Sequence, residues 1–408
     1  MKYWIWLAEL RGISTRQKIA LLKQFADPAA IYEQDEAGYA SAGIQKREIQ
    51  ALSNKRLEDA ERILALCDQK GIQILTYGDS RYPNRLRQIE QPPVLLYQKG
   101  RMIDFDTLPT IAAVGTRKAS AYGMVQAKRL GYQMGRCGLA VISGIAKGID
   151  AAALEGALLA GTPVAAVLGC GADVVYPREN RALYAEVQSY GCLLTEYPPG
   201  TPPEGRHFPV RNRILSGLAL GVLVIEAGER SGALITARLA LEQGRDVFAV
   251  PANLGVEGAR GSNHLLREGA IYTENGWDVA REYWHLYPNI LSEPQPEEPT
   301  ESEEMRQQFQ EKTPNSAAKD DKKYIDKQNV NSYIDLHEIW KSMTEEEQAV
   351  AELLQTGPAH VDTLIERSQI PASRILATLT LLEVRGIVKR LPGRMYSLAE
   401  ACSDETRA

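Results

Sequence analysis

The stretch that decides the fold is residues 140–161, "AVISGIAKGIDAAALEGALLAG". An apolar, strand-like run enters a turn at Ser143 and Gly144, and a segment rich in alanine and leucine follows Asp150 and favours a helix. A buried strand that turns through glycines into a helix leaves backbone N–H groups free at the start of that helix. Those groups, with the positive end of the helix dipole, favour an anion. The stretch therefore predicts a strand–turn–helix unit with a candidate anion site at its turn.

The same pattern recurs through the centre of the chain. Five short apolar runs alternate with helical segments, and the runs read "TIAAVG", "LAVISG", "PVAAVLG", "GVLVIEA" and "DVFAVP". Short, fully apolar strands that alternate with helices indicate an α/β fold, in which helices cover both faces of a parallel sheet. In open sheets of this kind, ligands bind beyond the carboxyl ends of the strands.

Three further regions lie outside this core, which we assign to residues 73–285. Residues 1–72 have apolar positions at helical spacing and predict a helical module, in which "RGIS" is a partial match to a helix-hairpin-helix. Residues 286–335 are polar, charged and poor in large apolar side chains, so we expect a flexible linker. Residues 336–400 hold three helical stretches and a hairpin with Pro392-Gly393 at its tip, the order of a winged helix.

Composition excludes several classes of protein. The chain has 408 residues, of which 44% are hydrophobic and 24% charged, and these are ordinary globular values. Its net charge of −5 argues against a uniformly basic coat for nucleic acid, so any site for a polyanion must be local. Five scattered cysteines without a C-x-x-C pair predict reduced thiols, and neither disulfides nor a zinc site. We expect a soluble cytoplasmic protein without a membrane span.

Glycine and basic residues follow several of the predicted strands, and an arginine-rich segment precedes the fourth. A single glycine turn is weak support, because glycine often closes a strand-to-helix connection for steric reasons alone. The fold, however, brings these strand ends to one edge together with several cations. The candidate binding residues are Gly115, Arg117, Ser143, Gly144, Lys147, Gly148, Phe208, Arg211, Asn212, Arg213, Ser231 and Gly232.

The usual enzyme templates do not fit these turns. "SGIAKGID" lacks the Gly-Lys-Ser/Thr of a Walker A loop, and Ala146 stands where the dinucleotide pattern needs its second glycine. The chain contains neither a G-x-S-x-G elbow nor an H-E-x-x-H pair. Glu226 and Asp173 are conceivable as an acid/base pair, but a structural role for both is favoured. We therefore expect binding without catalysis, and neither a metal nor a cofactor.

The candidate residues suit a single strand of nucleic acid. Arginine binds phosphate through its planar, two-pronged guanidinium group, whereas lysine binds it as a point charge. We expect the first role of Arg117, Arg211 and Arg213, and the second of Lys147. Phe208 lies close to the arginines, and a role in stacking on a base competes with a role in the core. Base stacking tolerates any sequence and is typical of proteins that bind single-stranded DNA or RNA.

The central motifs occur in the order of a known family. They read "GTRKASAYG", "SGIAKGIDAAA", "VLGCGADVVYP", "FPVRNRILSGLA", "EAGERSGALITARLALEQGRDVFAVP" and "GSNHLLREGA". Together they resemble the DNA-processing protein A family, also called DprA or Smf, over about residues 75–280. Two positions depart from the family pattern. Leu154 follows "AAA" where "AAH" is frequent, and Ala252 follows "VP" where glycine is frequent.

The resemblance implies a bacterial protein with an extended Rossmann-like domain, preceded by a helical module of the SAM or helix-hairpin-helix type and followed by a winged helix. It implies that the protein binds single-stranded DNA without sequence specificity, protects incoming DNA in natural transformation, and loads the RecA recombinase. It also implies a homodimer formed through the Rossmann-like domain. The DNA pocket would lie at the strand ends and hold the candidate residues, with Phe208 as the stacking residue.

Two other functions remain open on the sequence. Related Rossmann-like folds include nucleotide phosphoribohydrolases, but "ERSGALITARLALE" lacks the P-G-G-x-G-T-x-x-E run that supplies their catalytic glutamate. The winged helix is the second candidate, as in a transcription regulator. Its expected recognition helix offers mainly Ser373, Arg374 and Thr378, and its wing offers Lys389, Arg390 and Arg394. Few polar residues near the start of that helix favour packing against protein, or autoregulation, over the reading of bases.

Overall fold

The computed structural model describes most of the chain in two compact units, residues 1–311 and 312–408. The described residues are 1–294, 344–355, 357–368, 370–371, 374–375, 378–379, 382–383, 387–391 and 395–398. The predicted linker, residues 286–335, lies outside the described residues from 295 onward. Its first part packs on the core, since Leu291 is buried and the Ser292 backbone N–H donates to the Cys137 carbonyl oxygen.

Short helices form the start of the chain, as the apolar spacing predicts. A positive φ of 87° at Gly12 turns the chain between the first two helices. The second helix then starts with a reciprocal capping box between Ser14 and Gln17, which satisfies two otherwise free backbone N–H groups. The helices are α1 (Lys2–Glu9), α2 (Thr15–Phe25), α3 (Pro28–Glu33), α4 (Glu36–Ser41), α5 (Lys46–Leu52) and α6 (Glu58–Lys70).

A nine-stranded sheet forms the centre of the first unit. Its strands are β1 (Gln73–Thr76), β2 (Leu95–Gly100), β3 (Thr110–Val114), β4 (Ala140–Ser143), β5 (Val164–Val167), β6 (Cys192–Thr195), β7 (Gly221–Val224), β8 (Asp246–Ala249) and β9 (Ile271–Tyr272). Their order is β1-β2-β6-β5-β4-β3-β7-β8-β9, and every neighbouring pair from β6 to β9 is parallel. The prediction of a parallel α/β sheet is confirmed.

The strand order reverses at β3. After β3 the chain adds β4, β5 and β6 on one side, and it then returns to place β7, β8 and β9 on the other. At such a switch point, the chain segments that follow the two central strands cross to opposite faces of the sheet. Their separation opens a crevice at the carboxyl ends of those two strands. In this protein those strands are β3 and β7, in register from Ile111 opposite Gly221 to Val114 opposite Val224.

Helices cover both faces of the sheet and enclose two buried apolar clusters. On one face α8, α9, α10 and α14 pack over the odd-numbered side chains of β3, and on the other face α7, α11 and α12 pack over the even-numbered ones. The bounds are α7 (Asn84–Arg87), α8 (Ala121–Arg136), α9 (Ile149–Leu159), α10 (Arg181–Tyr190), α11 (His207–Leu218), α12 (Gly232–Glu242), α13 (Arg260–Arg267) and α14 (Gly276–Ala280). Short 3-10 turns occupy Arg178–Asn180, Glu257–Ala259 and Arg281–Tyr283.

The N-terminal helices pack on the β2 side of this sheet. Leu95 and Tyr97 of β2 are buried in the same apolar cluster as the helices α1 to α6. An ion pair also joins the two regions, because Lys70 at the end of α6 binds Asp173 in the loop after β5. The helical module and the sheet are therefore parts of one packed unit.

The described residues of the second unit form two helices and a three-stranded sheet. Its described helices are α15 (Glu345–Gln355) and α16 (Val361–Ser368), and its three strands β10 (Ala359–His360), β12 (Met395–Leu398) and β11 (Val388–Leu391) pair in that order. Ser373, Arg394 and the predicted wing tip at Pro392-Gly393 lie outside the described residues. Across the described parts of both units, no helix is long and apolar enough to span a bilayer.

Candidate nucleic-acid interface

A pocket of about 400 Å³ opens at the switch point of the sheet. It lies at the carboxyl end of β3, between the first turns of α11 and α12, where an open α/β sheet is expected to bind its ligand. Seven of the twelve candidate residues line it, namely Gly115, Arg117, Phe208, Arg211, Asn212, Ser231 and Gly232.

The first turn of α12 forms one wall of this pocket. Ser231 caps the helix, and its hydroxyl oxygen accepts a hydrogen bond from the Ala233 backbone N–H at 3.3 Å. Ser231, Gly232, Ala233 and Thr236 all line the pocket. Backbone N–H groups at the start of an 11-residue helix, together with its dipole, favour an anion such as a phosphate.

Two arginines surround the Phe208 ring. The central guanidinium carbon of Arg117 is 5.2 Å from the ring centroid, and that of Arg211 is 5.9 Å from it. The ring is half-buried and packs against Gly169, where a Cβ atom would come within 3.0 Å of it. Arg117 and its neighbour Lys118 are exposed at the mouth of the pocket. An aromatic face beside exposed cations offers both elements that bind single-stranded DNA.

Arg211 forms the floor of the pocket. It is only 4% exposed, its Nη1 atom donates to the Val167 carbonyl oxygen, and its Nε atom has no partner among the described residues. Burial lowers the pKa of Arg211, and the nearby Asp150 carboxylate opposes that shift. The floor is therefore a desolvated guanidinium group whose charge is balanced in part by the Asp150 carboxylate.

The backbone N–H groups of the turn after β4 are already bound to an internal carboxylate, that of Asp150. The Asp150 carboxylate is 6% exposed and accepts hydrogen bonds from the backbone N–H groups of Gly115, Gly144 and Ala146, the last at 3.4 Å. Burial raises the pKa of Asp150, while Arg211 and these backbone donors oppose the shift. The turn of residues 143–148 thus directs backbone donors at an internal carboxylate.

The rest of this turn serves to hold its shape. Ser143 is fully buried and donates its hydroxyl to the Ala113 carbonyl oxygen at 2.6 Å, so its side chain does not reach the pocket. Ile145 has a φ of 51°, a strained value for a β-branched residue, and the Asn180 amide donates to its carbonyl oxygen at 2.9 Å. Gly148 has a φ of 78° and packs against the Thr116 carbonyl oxygen.

Lys147 and Arg213 lie apart from the pocket. Lys147 is exposed and forms an ion pair with Glu179, also exposed, in the turn before α10. Arg213 points away from Arg211 and binds Glu196 through two hydrogen bonds of 2.6 Å, while its Nε atom donates to the Gln91 carbonyl oxygen at 2.9 Å. The expectation that Arg213 meets phosphate in this pocket does not fit its placement, because Arg213 does not line the pocket and its guanidinium is engaged by Glu196 and by backbone carbonyl oxygens.

The two carboxylates considered as an acid/base pair both have structural partners. Glu226 accepts hydrogen bonds from the Ser120 backbone N–H at 3.0 Å and from the Ser120 hydroxyl at 2.6 Å, at the start of α8. Asp173 binds Lys70 and accepts the Gly200 backbone N–H at 2.8 Å. Within the described residues, no cluster of three or more histidines, cysteines or carboxylates is arranged to hold a metal ion.

Comparison with known proteins agrees with this architecture. A profile of DNA recombination-mediator protein A matches residues 73–283, and a profile of the DprA winged helix domain matches residues 341–394. The chain belongs to the DNA recombination-mediator protein A family. The resemblance to the DprA/Smf family is thereby confirmed, and so is a Rossmann-like core followed by a winged helix.

Individual members of this family show the same relationship. Protein Smf of Synechocystis sp. is 35% identical over 287 residues, which cover 67% of this chain and 70% of that protein. DNA processing protein DprA of Bacillus subtilis is 39% identical over 221 residues, which cover 54% of this chain and 74% of that protein. The X-ray structure of DprA from Streptococcus pneumoniae matches with a TM-score of 0.62 and 33% identity, and covers 69% of this chain and 98% of that one.

Sequence reasoning missed three residues of this site. Lys118 adds a second exposed cation at the mouth of the pocket. Its position directly after Arg117 in the sequence could have indicated this role. Asp150 anchors the turn after β4, and Asn180 holds the same turn by a hydrogen bond to Ile145, 35 residues earlier in the chain. No local pattern indicates a contact over that separation, so only the fold reveals the role of Asn180.

Proposed function

We propose that this protein binds single-stranded DNA without sequence specificity, in the pocket between the first turns of α11 and α12. The observation that carries the proposal is the Phe208 ring with the Arg117 and Arg211 guanidinium groups around it, beside the capped start of α12. A base can stack on the ring while its phosphate meets the arginines and the helix N-terminus. These contacts read no base edges, so the binding is independent of sequence.

The preference for a single strand follows from the shape of the pocket. A cavity of about 400 Å³ accepts one nucleotide, and Phe208 lies inside it and is half-buried. Bases in a duplex are stacked and paired, so none is available to such a ring without the cost of unstacking. A single strand presents its bases at no comparable cost.

We also infer the role of this binding in the cell. The family's description as a recombination mediator supports a function in which the cytoplasmic protein protects an incoming strand in transformation and delivers it to the RecA recombinase. The protein acts as a homodimer through its Rossmann-like domain, and it performs no reaction on the DNA. The carboxylates of Glu226 and Asp173 support a binding function, because Glu226 caps the start of α8 through Ser120 and Asp173 is paired with Lys70.

Fluorescence anisotropy of a labelled oligo-dT and of its duplex tests the binding proposal, with wild type, Arg117→Ala and Arg101→Ala at two salt concentrations. Arg101 is a matched control, because it is an exposed arginine at the opposite edge of the sheet, next to the start of β6. We expect Arg117→Ala to weaken single-strand binding about tenfold and to reduce the salt slope by about one. Equal binding of duplex by wild type, or equal affinities of the two variants, would contradict the proposal.

Delivery to RecA and dimerisation need separate measurements. Sedimentation velocity reports the dimer. The DNA-dependent ATPase of a RecA protein, on a strand already coated with single-strand-binding protein, reports the delivery. We expect this chain to shorten the lag before ATP hydrolysis, and Arg117→Ala to lose that effect. An unchanged lag would leave single-strand binding in place and remove the RecA step.

A further inference from the structure

A second aromatic ring lies just outside the pocket. The Tyr176 ring centroid is 5.6 Å from that of Phe208, and the two ring planes are inclined at 41°. Tyr176 does not line the pocket, and 37% of it is exposed to solvent. An aromatic face therefore continues the surface of Phe208 outward from the pocket.

This ring is held in place by its backbone while its own polar atom is free. The Tyr184 hydroxyl donates to the Tyr176 carbonyl oxygen at 2.8 Å and accepts from the Tyr176 backbone N–H at 3.4 Å, and Tyr184 itself is buried in the core. Within the described part of the chain, the Tyr176 hydroxyl makes no hydrogen bond of its own. A fixed, partly exposed aromatic ring without an internal partner is typical of a contact surface.

A cation lies beside Phe208, and another follows Tyr176 along the chain. Arg117 is beside Phe208, and Arg178 follows two residues after Tyr176 and is exposed. Lys147 reaches the same turn through its ion pair with Glu179. A nucleic-acid backbone that follows the rings thus passes positive charge along its length, as in other single-strand grooves.

We propose that Tyr176 is a second base-stacking subsite, and that Phe208 and Tyr176 hold two consecutive bases of one DNA strand. This proposal rests on the proposed function and adds a second contact to it. It also gives the direction in which the DNA strand leaves the pocket, from α12 toward the turn before α10. Successive nucleotides rise about 3.4 Å along a strand of duplex DNA. The 5.6 Å between the ring centroids is wider, so the two bases bind in a stretched, unstacked strand.

Anisotropy of the full chain with oligo-dT tests this subsite through four variants. Tyr176→Ala removes the ring, Tyr176→Leu keeps apolar bulk without a π face, and Tyr176→Phe keeps the ring. Tyr190→Ala is the matched control, because Tyr190 is also exposed and ends α10 at the opposite edge of the sheet. We expect Tyr176→Ala and Tyr176→Leu to weaken binding about tenfold, and the other two variants to bind within about twofold of wild type.

Abasic substitutions in the oligonucleotide give a readout that a merely structural tyrosine would not change. One position of the strand should lose its dependence on a base in Tyr176→Ala, while the position that stacks on Phe208 keeps it. Thermal melting checks that each variant is folded. Full affinity of Tyr176→Ala, or an unchanged abasic profile, overturns the subsite and leaves the proposed function standing. Failure of wild type to bind oligo-dT overturns both.

Discussion

The Arg211 guanidinium and the Asp150 carboxylate meet beneath Gly144. A Cβ atom on Gly144 would lie 2.6 Å from both terminal nitrogens of Arg211 and 2.7 Å from the Asp150 Oδ2 atom. The turn after β4 therefore closes over a pair of opposite buried charges, which positions Arg211 as the floor of the pocket. Under the proposed function, the exposed Arg117 and the start of α12 are the groups that contact a phosphate, and the glycine turn acts from below by fixing Arg211.

Substitution of Gly144 tests this close approach. Gly144→Ala places a methyl group where the guanidinium and the carboxylate now lie, so the buried pair must separate or the turn must move. We expect a loss of about 1–3 kcal/mol in the free energy of unfolding, measured by urea denaturation. Oligo-dT binding should weaken as well, because Arg211 is displaced from the floor.

Gly232 is the matched control for this change. It also borders the pocket, but no atom lies within 4 Å of the position that its Cβ would occupy, and it is the first residue of α12. Gly232→Ala should keep the stability of wild type or raise it slightly. If both alanine variants unfold at the same urea concentration as wild type, the space beneath Gly144 is not tight.

The sequence predicts five of the seven parallel strands of this sheet and misses β6, β9 and the antiparallel edge. Apolar runs of four or five residues identify β3, β4, β5, β7 and β8, because a strand buried on both faces has no polar alternation. The strand β6, "CLLT", is as long and as buried as its neighbours, but Gly191 alone separates it from helix α10, so no turn segment sets it apart in the sequence. The residues of β1 and β2 pair with partners far along the chain, and no local pattern encodes such pairing.

The candidate site could be predicted only in part for a related reason. Seven candidate residues meet in one pocket because the fold brings the ends of β3 and the starts of α11 and α12 together. Arg211 and Arg213 are two residues apart on one helix, and residues at that spacing do not face the same way. One arginine therefore enters the pocket and the other turns to Glu196, a distinction that requires the position of α11 on the sheet.

Arg213 should accordingly matter for stability and leave DNA binding unchanged. Arg213→Ala leaves the Glu196 carboxylate largely buried without its partner, which we expect to cost about 3 kcal/mol of unfolding free energy. The salt slope of oligo-dT binding should equal that of wild type at a temperature where the variant is folded. In the double variant Arg213→Met with Glu196→Met, part of the stability should return. A reduced salt slope in Arg213→Ala would instead place Arg213 on the DNA.

Removal of a competing carboxylate should strengthen DNA binding. Glu179 forms an exposed ion pair with Lys147 next to the proposed strand path, so it competes with phosphate for that ammonium group. Glu179→Gln frees Lys147, and we expect two- to fivefold tighter binding of oligo-dT, about the range of an exposed pair. Glu186→Gln is the control, because Glu186 is exposed on α10 and bonds to no lysine in the described structure. Equal affinities of the two variants would show that Lys147 does not contact the strand.

Lys18 gives the chain a dependence of stability on alkaline pH. Its side chain is 7% exposed and donates to the Ala8 carbonyl oxygen, and burial lowers its pKa from 10.5 to about 8. Below pH 8 both the folded and the unfolded states hold the proton, so the cost of a buried charge is present in full. Between about pH 8 and 10.5 the unfolded state binds more protons than the folded state, so stability rises with pH across that window.

Lys18→Met removes this titration, and the difference between variant and wild type measures it. We expect the unfolding free energy of wild type, relative to Lys18→Met, to rise by up to about 3 kcal/mol from pH 7 to pH 10.5 in urea denaturation. Lys23→Met on the same helix is the control, since Lys23 is exposed and its variant should track wild type at every pH. A constant difference between Lys18→Met and wild type would mean that the ammonium group stays solvated, because only a desolvated lysine releases its proton within this window.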